Sequence, residues 1–281
     1  MAVITSTVAR SETGSRWSPA WRLVWRNYLA HRRSKVFFLT GFLEPVLYLF
    51  SIGIGVGQLV KPFEFNGQLV DYAAFVAPGM LAASAMNGAV LDSTFSIFFK
   101  LKFEKLYDAV LATPMRTFDV ARGEITWALL RGGIYSVGFL LVMVLMGLVG
   151  SWWALLAVPA TLLVGFAFSA VCMALTTFMK SWQDFDLVTL GIMPLFLFSA
   201  TFFPVTQFPE AIRWVVEISP LYRGVVLCRE LTTGVLTWES AVSVVYLVAM
   251  GVVGLLVVRR RRTPRPGRTS PRTRTAGAAR A

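Results

Sequence analysis

Six stretches of predominantly apolar residues divide the chain, each near the ~20 residues that a helix needs to cross the hydrocarbon core of a membrane. They run from about Val36 to Val60, Ala73 to Phe99, Ile125 to Val149, Trp152 to Met179, Leu187 to Phe203 and Ala241 to Val258. Pro204 is expected to end the fifth stretch, and the run Arg259, Arg260, Arg261, Arg262 stops the sixth. Gly150 and Ser151 alone separate the third from the fourth, which predicts an antiparallel hairpin with a very short turn. The first apolar run follows about 35 residues rich in arginine and tryptophan and is too long for a signal-peptide core, so the first span should stay in the mature protein. The pattern therefore predicts an all-α, polytopic membrane protein with six transmembrane helices.

Composition strengthens this reading. Of 281 residues, 56% are hydrophobic and only 15% charged, against about 25% charged in a soluble domain. Too few polar side chains are available to cover a globule in water, and the deficit implies a lipid surround. Two cysteines and one histidine leave no disulfide scaffold and no cysteine or histidine set for a metal, so no metal site and no catalytic residues are expected.

The net charge of +12 is distributed unevenly. Lys and Arg number seven before the first stretch, five between the second and third, one between the fourth and fifth, and nine in the C-terminal tail; the opposite face holds only Lys61, Arg213, Arg223 and Arg229. This bias predicts that the N- and C-termini are both cytoplasmic. The basic excess is thus a topology signal that also touches anionic membrane lipid, and no nucleic-acid partner is inferred. Three regions follow: a cytoplasmic segment 1–35, a six-span transmembrane domain 36–258, and a basic tail 259–281 whose composition cannot bury a core.

Ahead of the first span, Trp21, Val24, Trp25, Tyr28 and Leu29 recur at helical spacing, while Arg22, Arg26 and Arg33 fall to another side. An amphipathic helix in the membrane plane is expected, with Ser18 at the N-cap and Pro19 in its first turn. The loop at about 100–123 holds a second short apolar stripe, Leu106, Tyr107, Val110 and Leu111, which Pro114 ends at or before Thr113. Thr117 can cap the following helix, with Asp119 in its first turn. A short helix of this kind either lies on the bilayer or inserts into a partner's groove.

Ala77-Pro78-Gly79-Met80, Tyr107-Asp108-Ala109-Val110-Leu111-Ala112-Thr113-Pro114, Gly123-Glu124 and Phe198-Ser199-Ala200-Thr201-Phe202-Phe203-Pro204 stand in an order that resembles the permease subunits of type-two ABC exporters. The nodulation-factor and daunorubicin-resistance permeases are the branch it is most similar to, over roughly Trp21 to Val258. The resemblance implies that the loop helix is a coupling helix docking on an ATPase subunit, through Leu106, Tyr107, Asp108, Val110, Leu111, Thr113 and Pro114. It also implies a membrane-plane connecting helix, short external helices at about 205–238, and an assembly of two permeases, identical or not, with two ATP-binding ABC subunits in a bacterial inner membrane. The chain carries no G-x-x-x-x-G-K-[ST] segment, so ATP and Mg are expected on the partner and no cofactor on this chain.

Glu44, Asp92 and Arg131 are the ionisable residues inside the spans, each eight or nine residues from a basic residue at the cytoplasmic edge, hence roughly 12–14 Å deep. Asp92 and Arg131 are expected to pair, with Glu44 nearby; a proton relay is the alternative. Phe196, Phe198, Phe202 and Phe203 cluster toward the outer face, as an aromatic belt or as a stacking surface on a substrate path. Gly53 and Gly57 mark a close helix-packing or dimer seam, or a loosened helix end. Taken with these features, the resemblance implies the permease of an ATP-driven exporter of an amphiphile, whether drug, lipid or lipid-linked saccharide, as in antibiotic resistance or polysaccharide export. A secondary ion-coupled transporter and a non-transporting membrane scaffold are the alternatives.

Overall fold

The computed structural model describes residues 18–32, 35–65, 67–102, 117–179 and 181–260, together with Glu104, Leu106, Val110, Ala112 and Met115. Its helices are α1 (Pro19–His31), α2 (Lys35–Gly55), α3 (Tyr72–Leu91), α4 (Ile97–Lys102), α5 (Thr117–Leu145), α6 (Ala157–Thr176), α7 (Asp184–Leu197), α8 (Glu210–Ile218), α9 (Pro220–Thr233) and α10 (Trp238–Arg260). Four helical segments among the described residues are long and apolar enough to cross a membrane: Tyr72–Lys102, Phe118–Leu145, Trp152–Thr176 and Trp238–Arg260. A shorter apolar helix covers Leu43–Gly53. The chain is therefore a mostly helical, multi-pass membrane protein.

The core sits where α3, α6 and α9 meet. Ala82, Ala83 and Met86 of α3 pack with Val164, Ala167 and Phe168 of α6 and with Leu221, Val225 and Cys228 of α9. The many alanines let the backbones approach closely, which is the packing mode open to helices that lipid cannot drive together by a hydrophobic effect. Long aliphatic side chains instead face outward, among them Ile134, Leu141 and Leu145 of α5 and Val245 and Val253 of α10.

Helix α1 lies across the start of α5, as an amphipathic helix should, with its polarity divided differently from the sequence pattern. Leu23 and Val24 are buried against the bundle, whereas Trp21, Trp25, Tyr28 and Leu29 are exposed. Ser18 occupies the N-cap without a side-chain cap hydrogen bond.

Several element boundaries depart from the hydropathy pattern. Helix α2 ends at Gly55, so Gly57 belongs to a turn, and Gly53 faces Ala73 of α3. The third and fourth spans are separated by residues 146–151, more than Gly150 and Ser151 alone, before a 3₁₀ turn at Trp152–Leu156. The all-α expectation also missed an antiparallel hairpin, β1 (Phe63–Phe65) paired with β2 (Gln68–Val70). Its Phe63 and Phe65 stack edge-on against Phe75 of α3.

The largest departure is α7. Its 14 residues span about 21 Å, short of the ~30 Å core, and the helix stops at Leu197 although apolar residues continue to Phe203. Pro194 leaves one carbonyl of the preceding turn without its helical donor. Ser199 Oγ donates to the Phe196 carbonyl at 2.6 Å, and Ala200 takes a left-handed conformation at φ 53°. Beyond the helix, Ala200 packs with Val216 of α8 and with Tyr222 and Val226 of α9.

Candidate functional site: a buried polar line and a cavity at the opposite end

The helical segment Tyr72–Lys102 changes geometry where it carries its charge. Residues Asp92–Ser96 form a π-turn, a single widened turn within the helix. The Ser93 carbonyl accepts from Thr176 Oγ1 of α6 at 2.9 Å. The turn directs Asp92 at Arg131 of α5, and the two form a buried ion pair. Glu44, in contrast, is exposed on α2.

A second pair lies about two helical turns closer to the 102–117 loop. Lys100 Nζ donates to Glu124 Oε2 at 2.7 Å, and Asn27 Nδ2 of α1 donates to the same oxygen at 2.9 Å. Lys100 Nζ also approaches Asn27 Oδ1 at 3.5 Å. All three side chains are buried, Asn27 completely. The two pairs form antiparallel rungs, since Asp92 and Lys100 are carried down toward the loop while Glu124 and Arg131 are carried back from it. Burying such charges is tolerable only because each has an opposite partner.

Gly123 explains how α1 reaches this line. A Cβ there would lie 2.8 Å from the Ala20 carbonyl oxygen and 2.9 Å from Leu23 Cβ. Glycine thus lets α1 lie flat on α5, and the adjacent Glu124 fastens it. Leu106 and Val110 pack partly buried against the cluster formed by Leu23, Ile97, Val120, Ile125 and Met173. Tyr107, Asp108, Leu111, Thr113 and Pro114 lie outside the described residues.

On the opposite side, a cavity of about 1020 Å³ opens between the β-hairpin, the 202–207 turn and α9. Phe202 and Phe203 line it, whereas Phe196 packs inward against two core clusters and Phe198 stacks on Phe208 with ring centroids 6.2 Å apart. Arg229 is buried at its base. Its Nε donates to the Phe75 carbonyl at 3.2 Å, and Nη2 to those of Ala200 and Thr201 at 2.9 and 3.3 Å. The guanidinium also sits 3.7 Å from the centroid of the Phe75 ring. Burial pulls the Arg229 pKa down to about 9, so the group remains cationic at neutral pH. Next to it, Glu230 accepts from the Thr237 backbone N–H at 3.0 Å and from the Thr237 and Ser240 hydroxyls.

Arg229 draws together two segments that are remote in sequence. A Cβ on Gly79 would stand 3.0 Å from Thr201 Cγ2 and 3.2 Å from its Cα, so glycine lets the 199–201 turn seat against α3 without displacement. From the sequence, Lys100 and Arg229 counted only as charges on either side of the membrane and Glu124 only as part of a motif of the resemblance, while Asn27 and Glu230 did not stand out. The run Val225 to Leu231 is apolar apart from Arg229 and Glu230, which is the signal that was available for those two.

The model of the ABC-2 type transporter family matches residues 19–232, from α1 through both pairs of buried charges to Arg229 and beyond. The chain belongs to the ABC-2 type transporter family. Nodulation protein J of Rhizobium leguminosarum bv. viciae is 32% identical over 255 residues, covering 88% of this chain and 95% of that one. Nodulation protein J of Rhizobium meliloti (strain 1021) is 32% identical over 224 residues, or 79% and 82% of the two chains. The inner membrane transport permease YadH of Escherichia coli (strain K12) is 23% identical over 251 residues, 86% and 96%. This ABC-2 permease thus falls in the Nodulation protein J branch, and its family implies an ATP-binding ABC subunit as partner.

Proposed function

We propose that the chain is the permease subunit of an ATP-driven exporter of an amphiphilic substrate such as a drug, lipid or lipid-linked saccharide. In this reading ATP and Mg are bound by a separate ATPase, and two permease copies assemble with two ATPase copies in a bacterial inner membrane. The observation that carries the reading is the Asn27–Lys100–Glu124 cluster. It fastens α1, α4 and α5 to one another on both sides of the 102–117 loop, so force applied at that loop is delivered to three helices together. Tyr107 and Leu111 are the side chains proposed to dock on the ATPase. Leu106 and Val110, which pack inward, hold the segment to the bundle.

Six spans with both ends cytoplasmic complete the proposal, α2 and the short α7 being the first and fifth. The support is the charge bias, with 22 basic residues on the loop side against four on the other. The outer cavity, with Phe202 and Phe203 in its wall, is proposed to lie on the exit side of the substrate path.

The deciding experiment is reconstitution of the chain with its partner ATPase in vesicles, followed by candidate amphiphiles. ATP-dependent movement of an amphiphile supports the proposal. Repeated purification in mild detergent without any phosphate-loop ATPase counts against it.

A further inference from the structure

A second cavity, of about 780 Å³, separates α7 from α6 and α10. The α7 residues that face it, Leu187, Val188, Gly191, Ile192 and Leu195, recur at three- and four-residue spacing, so one face of this helix lines the groove, with Val188, Ile192 and Leu195 also packing in part on the core. From Asp184 to Leu195 the groove falls about 16 Å along the helix, roughly half the ~30 Å hydrocarbon thickness. Met250, at the deep end, stands near the middle of α10, which runs Trp238–Arg260. The groove therefore has the depth of one leaflet.

Its chemistry is graded in the same direction. Ser181 and Asp184 stand at the shallow end beside the α6–α7 turn, and the deeper wall is aliphatic and aromatic with the thiol of Cys172. Water has no polar partners on such a wall. Gly191 stands at the waist, and a Cβ there would meet nothing within 4 Å. A larger side chain at this position would project into the open space.

We propose that this groove seats one acyl chain of a bilayer phospholipid, drawn from the leaflet on the side of the α6–α7 turn. The seat rests on the membrane embedding of the bundle and is independent of the exporter reading and of its orientation. A space one leaflet deep, apolar below and polar only at its mouth, fits a single lipid tail in both length and polarity. A lipid tail there would complete the packing of α7, whose Val188, Ile192 and Leu195 meet the core only in part.

The test uses the full-length protein in phospholipid vesicles doped with a phospholipid carrying a diazirine at a shallow or a deep acyl position. After irradiation, the shallow probe should label peptides around Leu175 and Leu187, and the deep probe those around Ile192 and Met250. Gly191→Phe, which fills the waist, should lose this labelling, while labelling of the exposed α5 face at Ile134 and Leu141 continues and Gly191→Ala behaves as wild type. Groove labelling unchanged in Gly191→Phe would overturn the seat. So would wild-type labelling without depth order, or an interchain disulfide formed by Gly191→Cys, which would place a second copy there.

Discussion

Lys100 and Glu124 stand 24 residues apart, at the two ends of the 102–117 loop, and their side chains meet at 2.7 Å in a buried ion pair that Asn27 completes from α1. The loop is thus closed at its base by a charge contact, and the connecting helix is tied into the same contact.

Removing one charge from this closure should cost far more than removing both. Glu124→Gln leaves the Lys100 ammonium buried without its counterion, a loss of about 3–5 kcal/mol. Glu124→Gln with Lys100→Met should recover a substantial part. Thermal unfolding of the detergent-solubilised protein measures both, and strict additivity in the double-mutant cycle would show that the pair is not coupled.

The deeper rung should behave likewise. Asp92→Asn alone is expected to impair folding or transport by leaving Arg131 unmatched, and Asp92→Asn with Arg131→Gln to recover partly, read as folded yield and transport rate. Without recovery, Arg131 would instead be satisfied by snorkelling to the interface.

Gly123→Ala should prise α1 from α5. The new methyl would lie within 2.9 Å of both Ala20 O and Leu23 Cβ, and overpacking of this kind costs typically about 1–3 kcal/mol. Gly132→Ala, on the same helix with nothing near its Cβ, should be neutral or stabilising by up to about 1 kcal/mol. Comparing the two midpoints of unfolding isolates contact from helix propensity.

Docking on an ATPase predicts a sharp effect of Leu111→Asp. A buried Leu contributes about 1.5–3 kcal/mol, so its loss should weaken docking roughly 10- to 150-fold. The variant should insert at normal level while ATPase copurification, ATPase stimulation and transport fall together. Unchanged copurification and transport would leave the segment as a helix lying on lipid.

Reporters after Ala281 and near Ser6 should read cytoplasmic, and tags near Phe65 and Gln207 external. Recovery of the C-terminal reporter outside the cell would reject the proposed orientation.

Hydropathy alone determined that this chain lives in a membrane, and it located the long helices to within a few residues except at the start of α5, which lies at Thr117 and not Ile125, because a spanning helix satisfies its own backbone and needs only about 20 apolar residues in a row. Local chemistry likewise placed the amphipathic α1 and the start of α5 at Thr117. The end of α7 could not be read this way. Residues 198–203 remain as apolar as the helix before them, and what turns them is Arg229, gathering the Ala200 and Thr201 carbonyls from about thirty residues away, against the face that Gly79 leaves bare. The buried line had the same character. Asp92 and Arg131 were visible as charges among apolar residues, but Asn27, Lys100 and Glu124 each look like ordinary polar residues at a helix end. Only the packing of α1, α4 and α5 removes water from all three, and that exclusion turns three surface-type side chains into one linkage.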